Sequence, residues 1–463
     1  MSHTFSVPRC IFSIVVLFIS SMLMAQNPVP FLSQPLIPAA IAPGPPGLTF
    51  TLTVNGTGFV RGATVNWNGS PRHTNFVNRS RLVAFIPSSD IAIPTTAWIT
   101  VANPGPGGGT SNTLFLPVNR PASRLSFQRT DYYVGIMPAY PTAVDLNGDG
   151  ILDLAVPTNT YGEVLFLLGN GDGTFRRGDS YQVGWGTVKP LFADFNRDGI
   201  LDFAIAVHSP SAMAMLLGRR DGTFESPVYY PTGPAPTWDI TADFNGDGKL
   251  DLATVNQGSN TMSVLLGNGD GSFQPHVEYP VGATPTVLGA GDFNGDGKLD
   301  VAVSNYGSNT VSILLGNGDG TFRPKVDYAA GSCPGGVAVA DFNGDGKLDL
   351  VVANQCEPSV SVLLGNGDGT FRPQVKFPTA AGAVRVAVAD FNDDGKLDLA
   401  VATYASTFDI LLGNGDGTFT APSSFAVASN PFDVSAADFN RDGRTDIVIS
   451  SYGEDSISVL IAQ

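Results

Sequence analysis

The chain contains 463 residues, only 14% of them charged, and its formal net charge is −16 at pH 7. So large a surplus of acidic groups argues against binding to nucleic acid, whose phosphates it would repel. The length allows two or three domains. Short Val, Ala and Leu runs separated by Gly, Asn, Asp and Pro, without long segments of helical periodicity, predict an all-β protein.

The first 25 residues carry a charge at Arg9, an apolar stretch from Ile11 to Met24 and a small residue at Ala25. This pattern predicts a cleavable secretory signal over residues 1–25. No later stretch is long and apolar enough to be predicted as a membrane span. We therefore expect an exported protein, secreted, extracellular or held at the cell surface, where Ca²⁺ is plentiful and disulfides persist.

Residues 28–118 contain short alternating segments and turn-like Gly clusters, which predict a β-sandwich. The stretch Thr53–Phe59, followed by Ala63–Gly69 and Val101–Pro104, resembles the IPT/TIG immunoglobulin-like family. That resemblance implies a spacer or binding domain. We expect Trp67 and Trp98 to be core aromatics, and residues 119–124 to form a linker.

From residue 125 to residue 463 the chain is organised by seven near-copies of a nine-residue loop, most regularly Asp-Phe-Asn-Gly-Asp-Gly-Lys-Leu-Asp. Successive copies start 49 residues apart five times and 48 residues apart once. A fixed period of this size indicates a radial or solenoid repeat. In the fifth unit we predict strands at Val337–Ala340, Leu350–Ala353, Ser359–Leu364 and Gln374–Phe377, and four antiparallel strands per unit is the size of a propeller blade.

Each loop places oxygen-bearing side chains at positions 1, 3, 5 and 9, a Gly at position 6 and a free carbonyl at position 7. Three carboxylates this close repel one another unless a cation lies between them, and hard oxygen ligands at alternate positions suit Ca²⁺. Polar turns alone would not require the carboxylate at position 9, and an EF-hand would need an acidic residue at position 12, which is apolar here. We predict up to seven Ca²⁺ ions, which would offset most of the net charge. The predicted ligands are Asp145, Asn147, Asp149, Ile151, Asp153, Asp194, Asn196, Asp198, Ile200, Asp202, Asp243, Asn245, Asp247, Lys249, Asp251, Asp292, Asn294, Asp296, Lys298, Asp300, Asp341, Asn343, Asp345, Lys347, Asp349, Asp390, Asn392, Asp394, Lys396, Asp398, Asp438, Asn440, Asp442, Arg444 and Asp446.

The loop and the Leu-Leu-Gly-Asn-Gly-Asp-Gly-Thr-Phe that follows it closely resemble the FG-GAP/VCBS repeat family, which is related to the integrin alpha-subunit propeller. In that family positions 1, 3, 5 and 9 hold Ca²⁺ by side chains and position 7 by its carbonyl. The second Gly-rich turn departs from the pattern at Arg219-Arg220, so we interpret these turns as hairpins. The fold expected is a seven-bladed β-propeller preceded by an immunoglobulin-like β-sandwich, with Phe127–Val134 joining the C-terminal strands in one composite blade.

Cys333 and Cys356 lie in loops predicted at the same end of one blade, so we expect them to form a disulfide. No Ser/His/Asp arrangement, zinc motif or phosphate-binding loop is visible. We therefore expect no enzymatic activity.

The repeats diverge most five residues before and fourteen residues after the first Asp of each loop, at the end of each blade opposite the loops. The diverging residues are aromatic, cationic and amide-bearing, which suits a carbohydrate or extracellular protein ligand held on a rigid scaffold. Trp238, Arg385 and Tyr404 are the predicted ligand contacts, although unconstrained surface variation would leave the same pattern. The function expected is a secreted, non-catalytic binding or adhesion module. The alternatives are a structural surface or matrix protein and, with less support, a propeller-based polysaccharide lyase or hydrolase.

Overall fold

The computed structural model describes residues 27–32, 36, 40–43, 47, 49–120, 122, 124–159 and 161–463. The predicted signal at residues 1–25 lies outside the described residues. Within the described part of the chain, no helix is long and apolar enough to cross a membrane.

The N-terminal unit consists of two sheets that share one core. Its strands are β1 (Phe31–Leu32), β2 (Thr49–Thr57), β3 (Thr64–Trp67), β4 (Ser70–Pro71), β5 (His73–Asn78), β6 (Arg81–Pro87), β7 (Thr95–Asn103), β8 (Gly109–Thr110) and β9 (Leu114–Val118), with a 3-10 turn at Ser88–Ile91. One sheet has the order β1-β2-β6-β5, and the other has the order β4-β3-β7-β8 with β9 also paired to β7. Alternate residues of β2, β3, β6 and β7 point into one cluster of buried apolar side chains. Trp67 lies in this cluster as expected, whereas Trp98 is only half-buried and packs edge-on against Phe115.

In the part of the repeat region that the structure describes, the strands form seven further antiparallel sheets. Sheet I contains β11 (Thr142–Val144), β12 (Asp153–Thr158), β13 (Glu163–Gly169) and β14 (Phe175–Gln182). Sheet II contains β15 (Trp185–Thr187), β16 (Leu191–Ala193), β17 (Asp202–Ser209), β18 (Ala212–Leu216) and β19 (Val228–Pro231). Sheet III contains β20 (Pro236–Ala242), β21 (Asp251–Asn256), β22 (Thr261–Leu265) and β23 (Val277–Pro280). Sheet IV contains β24 (Pro285–Gly291), β25 (Asp300–Asn305), β26 (Thr310–Leu314) and β27 (Val326–Ala329).

Three sheets complete the region. Sheet V contains β28 (Pro334–Ala340), β29 (Asp349–Asn354), β30 (Ser359–Leu363) and β31 (Val375–Pro378). Sheet VI contains β32 (Ala383–Ala389), β33 (Asp398–Thr403), β34 (Thr407–Leu411) and β35 (Ser423–Ala426). Sheet VII contains β36 (Pro431–Ala437), β37 (Asp446–Ser451), β38 (Ser456–Ala462) and β10 (Phe127–Tyr133). The four strands predicted for the fifth unit agree with β28 to β31 to within a few residues.

The two ends of the repeat region meet in sheet VII. Strand β10 pairs antiparallel with β38 in continuous register, from Phe127 opposite Ala462 to Tyr133 opposite Ser456. This pairing confirms that the first strand of the region completes the last sheet. It joins residues more than 300 positions apart in sequence, so the region can open only by breaking a ladder of backbone hydrogen bonds.

Neighbouring sheets are joined by a repeated aromatic contact. In five of the sheets, the Phe after the hairpin turn packs against the Phe at loop position 2 of the preceding sheet, with ring centroids 5.7 Å apart for Phe322 and Phe244. The same contact joins sheet I to sheet VII, through Phe175 and Phe439 at 5.5 Å. Strands β11 and β36 also lie against each other. The sheets therefore follow one another around a closed ring, which fits a β-propeller fold.

Candidate functional site

The nine-residue loops fold as tight turns held by their own side chains. In the fifth loop, Asp341 accepts hydrogen bonds from the amides of Gly344 at 2.8 Å and Gly346 at 2.7 Å. The amide of Asp345 donates to Asn343 Oδ1 at 2.9 Å, and the amide of Lys347 donates to Asp345 Oδ1 at 3.0 Å. Gly346 has φ +80°, a backbone conformation that residues other than Gly rarely adopt. Positions 1, 3 and 5 are thus oriented by the backbone of the turn that they enclose.

Position 9 has a different environment, which sequence reasoning did not anticipate. Asp349 is fully buried, and its two oxygens accept the amides of Phe342 at 3.0 Å and Gly365 at 2.7 Å. The same arrangement recurs in the other loops, at Asp153, Asp202, Asp251, Asp300, Asp398 and Asp446. Each position-9 carboxylate therefore ties its loop to the end of the third strand of the same sheet.

The charge distribution of the loops favours a cation. Burial, together with the neighbouring carboxylates of Asp243 and Asp247, raises the pKa of Asp251 to about 8 despite hydrogen bonds from backbone amides that lower it. Among the described residues, no three His, Cys, Asp or Glu side chains converge closely enough to hold a metal ion by themselves. The predicted set also contains the Asn at position 3 and the carbonyl at position 7, which are hard oxygen donors of the kind Ca²⁺ prefers. The donor types at positions 1, 3, 5 and 7 fit Ca²⁺, whereas both oxygens of the position-9 carboxylate already accept backbone amides.

The N-terminal unit lies over the end of the ring that carries these loops, which we call the loop end. The hydroxyl of Ser80 donates to Asp292 Oδ2 at 2.9 Å, and the hydroxyl of Thr96 donates to Asp438 Oδ2 at 2.5 Å. The amide of Val29 donates to Asp243 Oδ2 at 3.0 Å. All three acceptors are position-1 carboxylates, in loops three, four and seven. Much of the loop end is therefore occupied by the chain's own N-terminal unit.

The opposite end of the ring, which we call the axial end, carries a cluster of aromatic and charged side chains. We define the axial cluster as Tyr140, Lys189, Trp238, Arg385, Phe432 and Asp433. Trp238 stands five residues before its loop on β20, which places it about 16 Å away along an extended strand. The members come from sheets I, II, III, VI and VII, so only closure of the ring brings them together.

Arg385 holds the axial cluster together. Its guanidinium donates to the hydroxyl of Tyr140 at 3.2 Å, and its Cζ lies 5.6–5.7 Å from the ring centroids of Tyr140, Trp238 and Phe432. Lys189 Nζ lies 5.5 Å from the centroid of Trp238. Such cation–π contacts are strengthened when the cation is desolvated.

The predicted contacts Trp238, Arg385 and Tyr404 have different surroundings from those expected. Arg385 is only 6% exposed and belongs to strand β32 rather than to an exposed loop, because the inner strands turn this position towards the axis. Trp238 also lies in a strand and is half-buried. Tyr404 is 53% exposed and donates to Gln355 Oε1 at 3.2 Å. Among the described residues it makes no hydrogen bond or ring contact with Trp238 or Arg385. The structure brings Trp238 and Arg385 together and leaves Tyr404 apart.

A cavity of about 240 Å³ adjoins the axial cluster and is lined by Lys189, Trp238, Arg385 and Asp433 among other residues. Burial raises the pKa of Asp433 to about 6, even though the charges of Arg385 and Lys189 act to lower it. The described residues include no ion pair between Asp433 and either cation, and the buried Nε of Arg385 has no hydrogen-bond partner among them. The Asp433 carboxylate and Arg385 Nε could therefore interact with a ligand in the cavity.

The repeats match a known family by sequence. The pattern of the FG-GAP-like repeat matches six overlapping stretches, at residues 145–205, 194–253, 243–303, 292–352, 341–401 and 390–449, which together exceed half of the chain. The chain belongs to the FG-GAP-like repeat family. No curated protein shows a significant match to this sequence.

Solved structures resemble this FG-GAP-like protein in fold. BBS1N, in a complex with ARL6DN, superposes with a TM-score of 0.53 at 11% identity, covering 73% of this chain and 97% of that chain. A lectin from Agrocybe aegerita that recognises non-reducing terminal N-acetylglucosamine has a TM-score of 0.45 at 16% identity, covering 84% of this chain and 100% of that chain. An auxiliary nutrient binding protein from Bacteroides ovatus has a TM-score of 0.40 at 9% identity, covering 94% and 98%. At 11% identity the likeness to BBS1N concerns the fold alone.

A disulfide joins Cys333 and Cys356 in the FG-GAP-like region, with Cα atoms 5.4 Å apart. Cys333 lies in the loop before β28 and Cys356 in the loop after β29, so the disulfide cross-links two loops at the axial end. Sequence reasoning missed Phe432, Ser80 and Thr96. It also missed Asp239 on β20, which is fully buried and accepts the amide of Ala206 at 2.8 Å. Phe432 stands six residues before the first Asp of its loop, next to the position five residues before it at which the repeats were compared. A comparison that included the sixth position would have found it. The two hydroxyl residues carry no such signal, because nothing local marks them as contacts.

Proposed function

We propose that the mature protein is an exported, non-catalytic binding module that binds a carbohydrate or protein ligand at the axial end of a seven-bladed propeller. In this proposal Ca²⁺ in up to seven loops stiffens the scaffold, and an immunoglobulin-like sandwich of the IPT/TIG type forms the N-terminal unit. The position of the N-terminal unit is the observation that favours the axial end as the ligand-binding surface. Its donors occupy three position-1 carboxylates, so the loop end is already partly covered.

The axial end has the features of a ligand site. Concave sites typically combine aromatic walls with a few polar groups, and here Trp238 is accompanied by Lys189, Arg385 and Asp433 around one cavity. Buried polar groups without partners favour a ligand that supplies hydrogen bonds, because such groups are costly to leave unpaired. Family membership also favours a binding role over catalysis, and no step of chemistry is assigned to these residues.

Calcium would act through the turn residues of this chain. The side chains at positions 1, 3 and 5 and the carbonyl at position 7 would hold the ion, and the ion would neutralise their mutual repulsion. The position-9 carboxylate, fixed by two amides, would keep the loop in register with the third strand. The loops would then hold the inner strands, and with them the axial cluster, in one arrangement.

The test is a binding screen of the mature protein on arrays of glycans and extracellular proteins, in buffered Ca²⁺. The expected result is a ligand whose binding is lost in Trp238→Ala and weakened in Lys189→Gln. Asp345→Ala, which alters one loop at the other end, serves as the matched control and should retain binding. Binding lost only in loop variants would place the working surface at the loop end. Cleavage of a polysaccharide by the wild type would refute the non-catalytic role.

A further inference from the structure

A second concave site lies beside the axial cluster, between sheets I and II. This side pocket has a volume of about 350 Å³, and its walls include Tyr140, Asn159, Trp185, Thr187, His208 and Phe432. Tyr140 and Phe432 belong to both the pocket wall and the axial cluster. The side pocket therefore opens on the same end of the ring as the cavity already described, but it is lined by different polar groups.

Trp185 presents an aromatic surface at this pocket. Its side chain is 59% exposed, which is unusual for so large an apolar group. Gly186 follows it with φ +71°, and a Cβ on Gly186 would lie 2.7 Å from Cβ of His208. Only Gly fits this position, so the backbone of β15 packs directly on His208. The chain thus holds the indole beside the pocket instead of burying it.

The pocket also offers hydrogen-bonding groups. Thr187 is 1% exposed, and its hydroxyl has no hydrogen-bond partner among the described residues. Burial lowers the pKa of His208, against a hydrogen bond to the backbone carbonyl of Pro236, and favours the neutral imidazole. A neutral imidazole has one donor and one acceptor nitrogen, so the nitrogen that does not bind Pro236 can accept a hydrogen bond. Asn159 is held in place by donating to the hydroxyl of Tyr452 at 3.0 Å.

The lining carries no charge. The side chains that form the pocket walls are aromatic, aliphatic, amide, hydroxyl or imidazole groups, without Asp, Glu, Lys or Arg. This contrasts with the neighbouring cavity, which is lined by Lys189, Arg385 and Asp433. A phosphate, sulfate or carboxylate ligand would find no counter-ion here, and desolvating its charge without one is costly.

We propose that the side pocket binds an uncharged pyranose residue of a saccharide, with one face of the sugar ring on Trp185 and its hydroxyls directed to Thr187, His208 and Asn159. A pyranose has an apolar C–H face and a polar rim, which matches an aromatic platform beside three hydrogen-bonding groups. A Pro or aromatic side chain of a peptide would use the platform but leave the Thr187 hydroxyl unpartnered. This inference rests on the proposed binding function and names its ligand class.

The test is titration calorimetry of the mature protein with neutral oligosaccharides and with their sialylated or sulfated counterparts. Trp185→Ala should weaken binding of the neutral set at least about tenfold, as expected for loss of a central aromatic contact. Thr187→Val, which keeps the shape but removes the hydroxyl, should weaken it less. Tyr229→Ala removes an exposed aromatic from the outer strand of the same sheet and should change nothing.

Four results would overturn the proposal, and they separate it from the broader function. Wild-type affinity in Trp185→Ala, with loss in Trp238→Ala, would leave the binding function standing and remove the side pocket from it. Preference for sialylated or sulfated ligands would refute the uncharged class. Peptide binding that depends on Trp185, without saccharide binding, would make the occupant a protein. Absence of any ligand on glycan and protein arrays would remove both proposals together.

Discussion

The two acidic positions of one loop should respond differently to truncation, and the fifth loop offers a matched pair. Asp349 at position 9 is fully buried and accepts two backbone amides. Asp345 at position 5 keeps 32% of its side chain exposed, accepts one amide and lies 3.5 Å from Lys347 Nζ. We predict that Asp349→Ala destabilises the protein whether or not Ca²⁺ is present, whereas Asp345→Ala does so mainly in Ca²⁺.

The magnitudes follow from the contacts that each change removes. Truncating Asp349 leaves two buried N–H groups without acceptors, at about 1–3 kcal/mol each, so the loss is about 2–6 kcal/mol. Truncating Asp345 removes an exposed ion pair worth about 0–1 kcal/mol. If extracellular loops of this type bind with dissociation constants of about 10⁻⁴–10⁻³ M, one site contributes about 1.4–2.7 kcal/mol at roughly 10 mM Ca²⁺. Asp345→Ala should lose this contribution.

The assay is urea unfolding of the protein, followed by intrinsic fluorescence in excess chelator and in about 10 mM Ca²⁺. Asp349→Asn is the shape-matched control, and it should fall between wild type and Asp349→Ala because an amide can accept only one of the two N–H groups. Equal stability of Asp349→Ala and Asp345→Ala in chelator would refute the structural role of position 9. An unchanged wild-type transition on chelation would refute the calcium assignment.

Three further changes have expected outcomes. Replacing Cys333 and Cys356 together by Ala should lower the unfolding free energy by about 3 kcal/mol, since the bond closes a loop with a sequence separation of 23; urea midpoints equal to those of the oxidised wild type would contradict this. Thr96→Val removes the hydroxyl that donates to Asp438 at the loop end and should loosen the attachment of the N-terminal unit. The expected measurement is a larger radius of gyration in small-angle X-ray scattering. Unchanged scattering would show that this contact does not hold the two units together. Burial raises the pKa of Asp239 from 3.8 to about 8. The stability due to its protonated form is therefore complete below about pH 4 and is lost as pH rises through about 8. Asp239→Asn, which can still accept the amide of Ala206, should exceed wild type in melting temperature by a margin that grows from pH 4 to pH 8, and a constant margin would contradict the shift.

The sequence alone predicted the repeat and its internal strands well. The period, the alternation of loop and strand, the hairpins and the joining of the first strand to the last sheet all follow from residues that are neighbours along the chain or recur at a fixed spacing. The family match at residues 145–449 confirms the recognition of the repeat itself. Turn chemistry acts over a few residues, so Asp, Asn and Gly in a fixed order determine a loop wherever the loop is placed.

The packing of distant segments determines which of these residues come into contact. Asp349 accepts an amide sixteen positions further along the chain, and Arg385 contacts Tyr140 from 245 positions away. The N-terminal unit reaches Asp438 through Thr96 across 342 positions. None of these pairs is marked by local pattern, because each depends on how the sheets close into a ring and on where the N-terminal unit docks. A side chain's neighbours along the chain determine its backbone conformation, whereas its burial and its partners are set by the packing of distant segments.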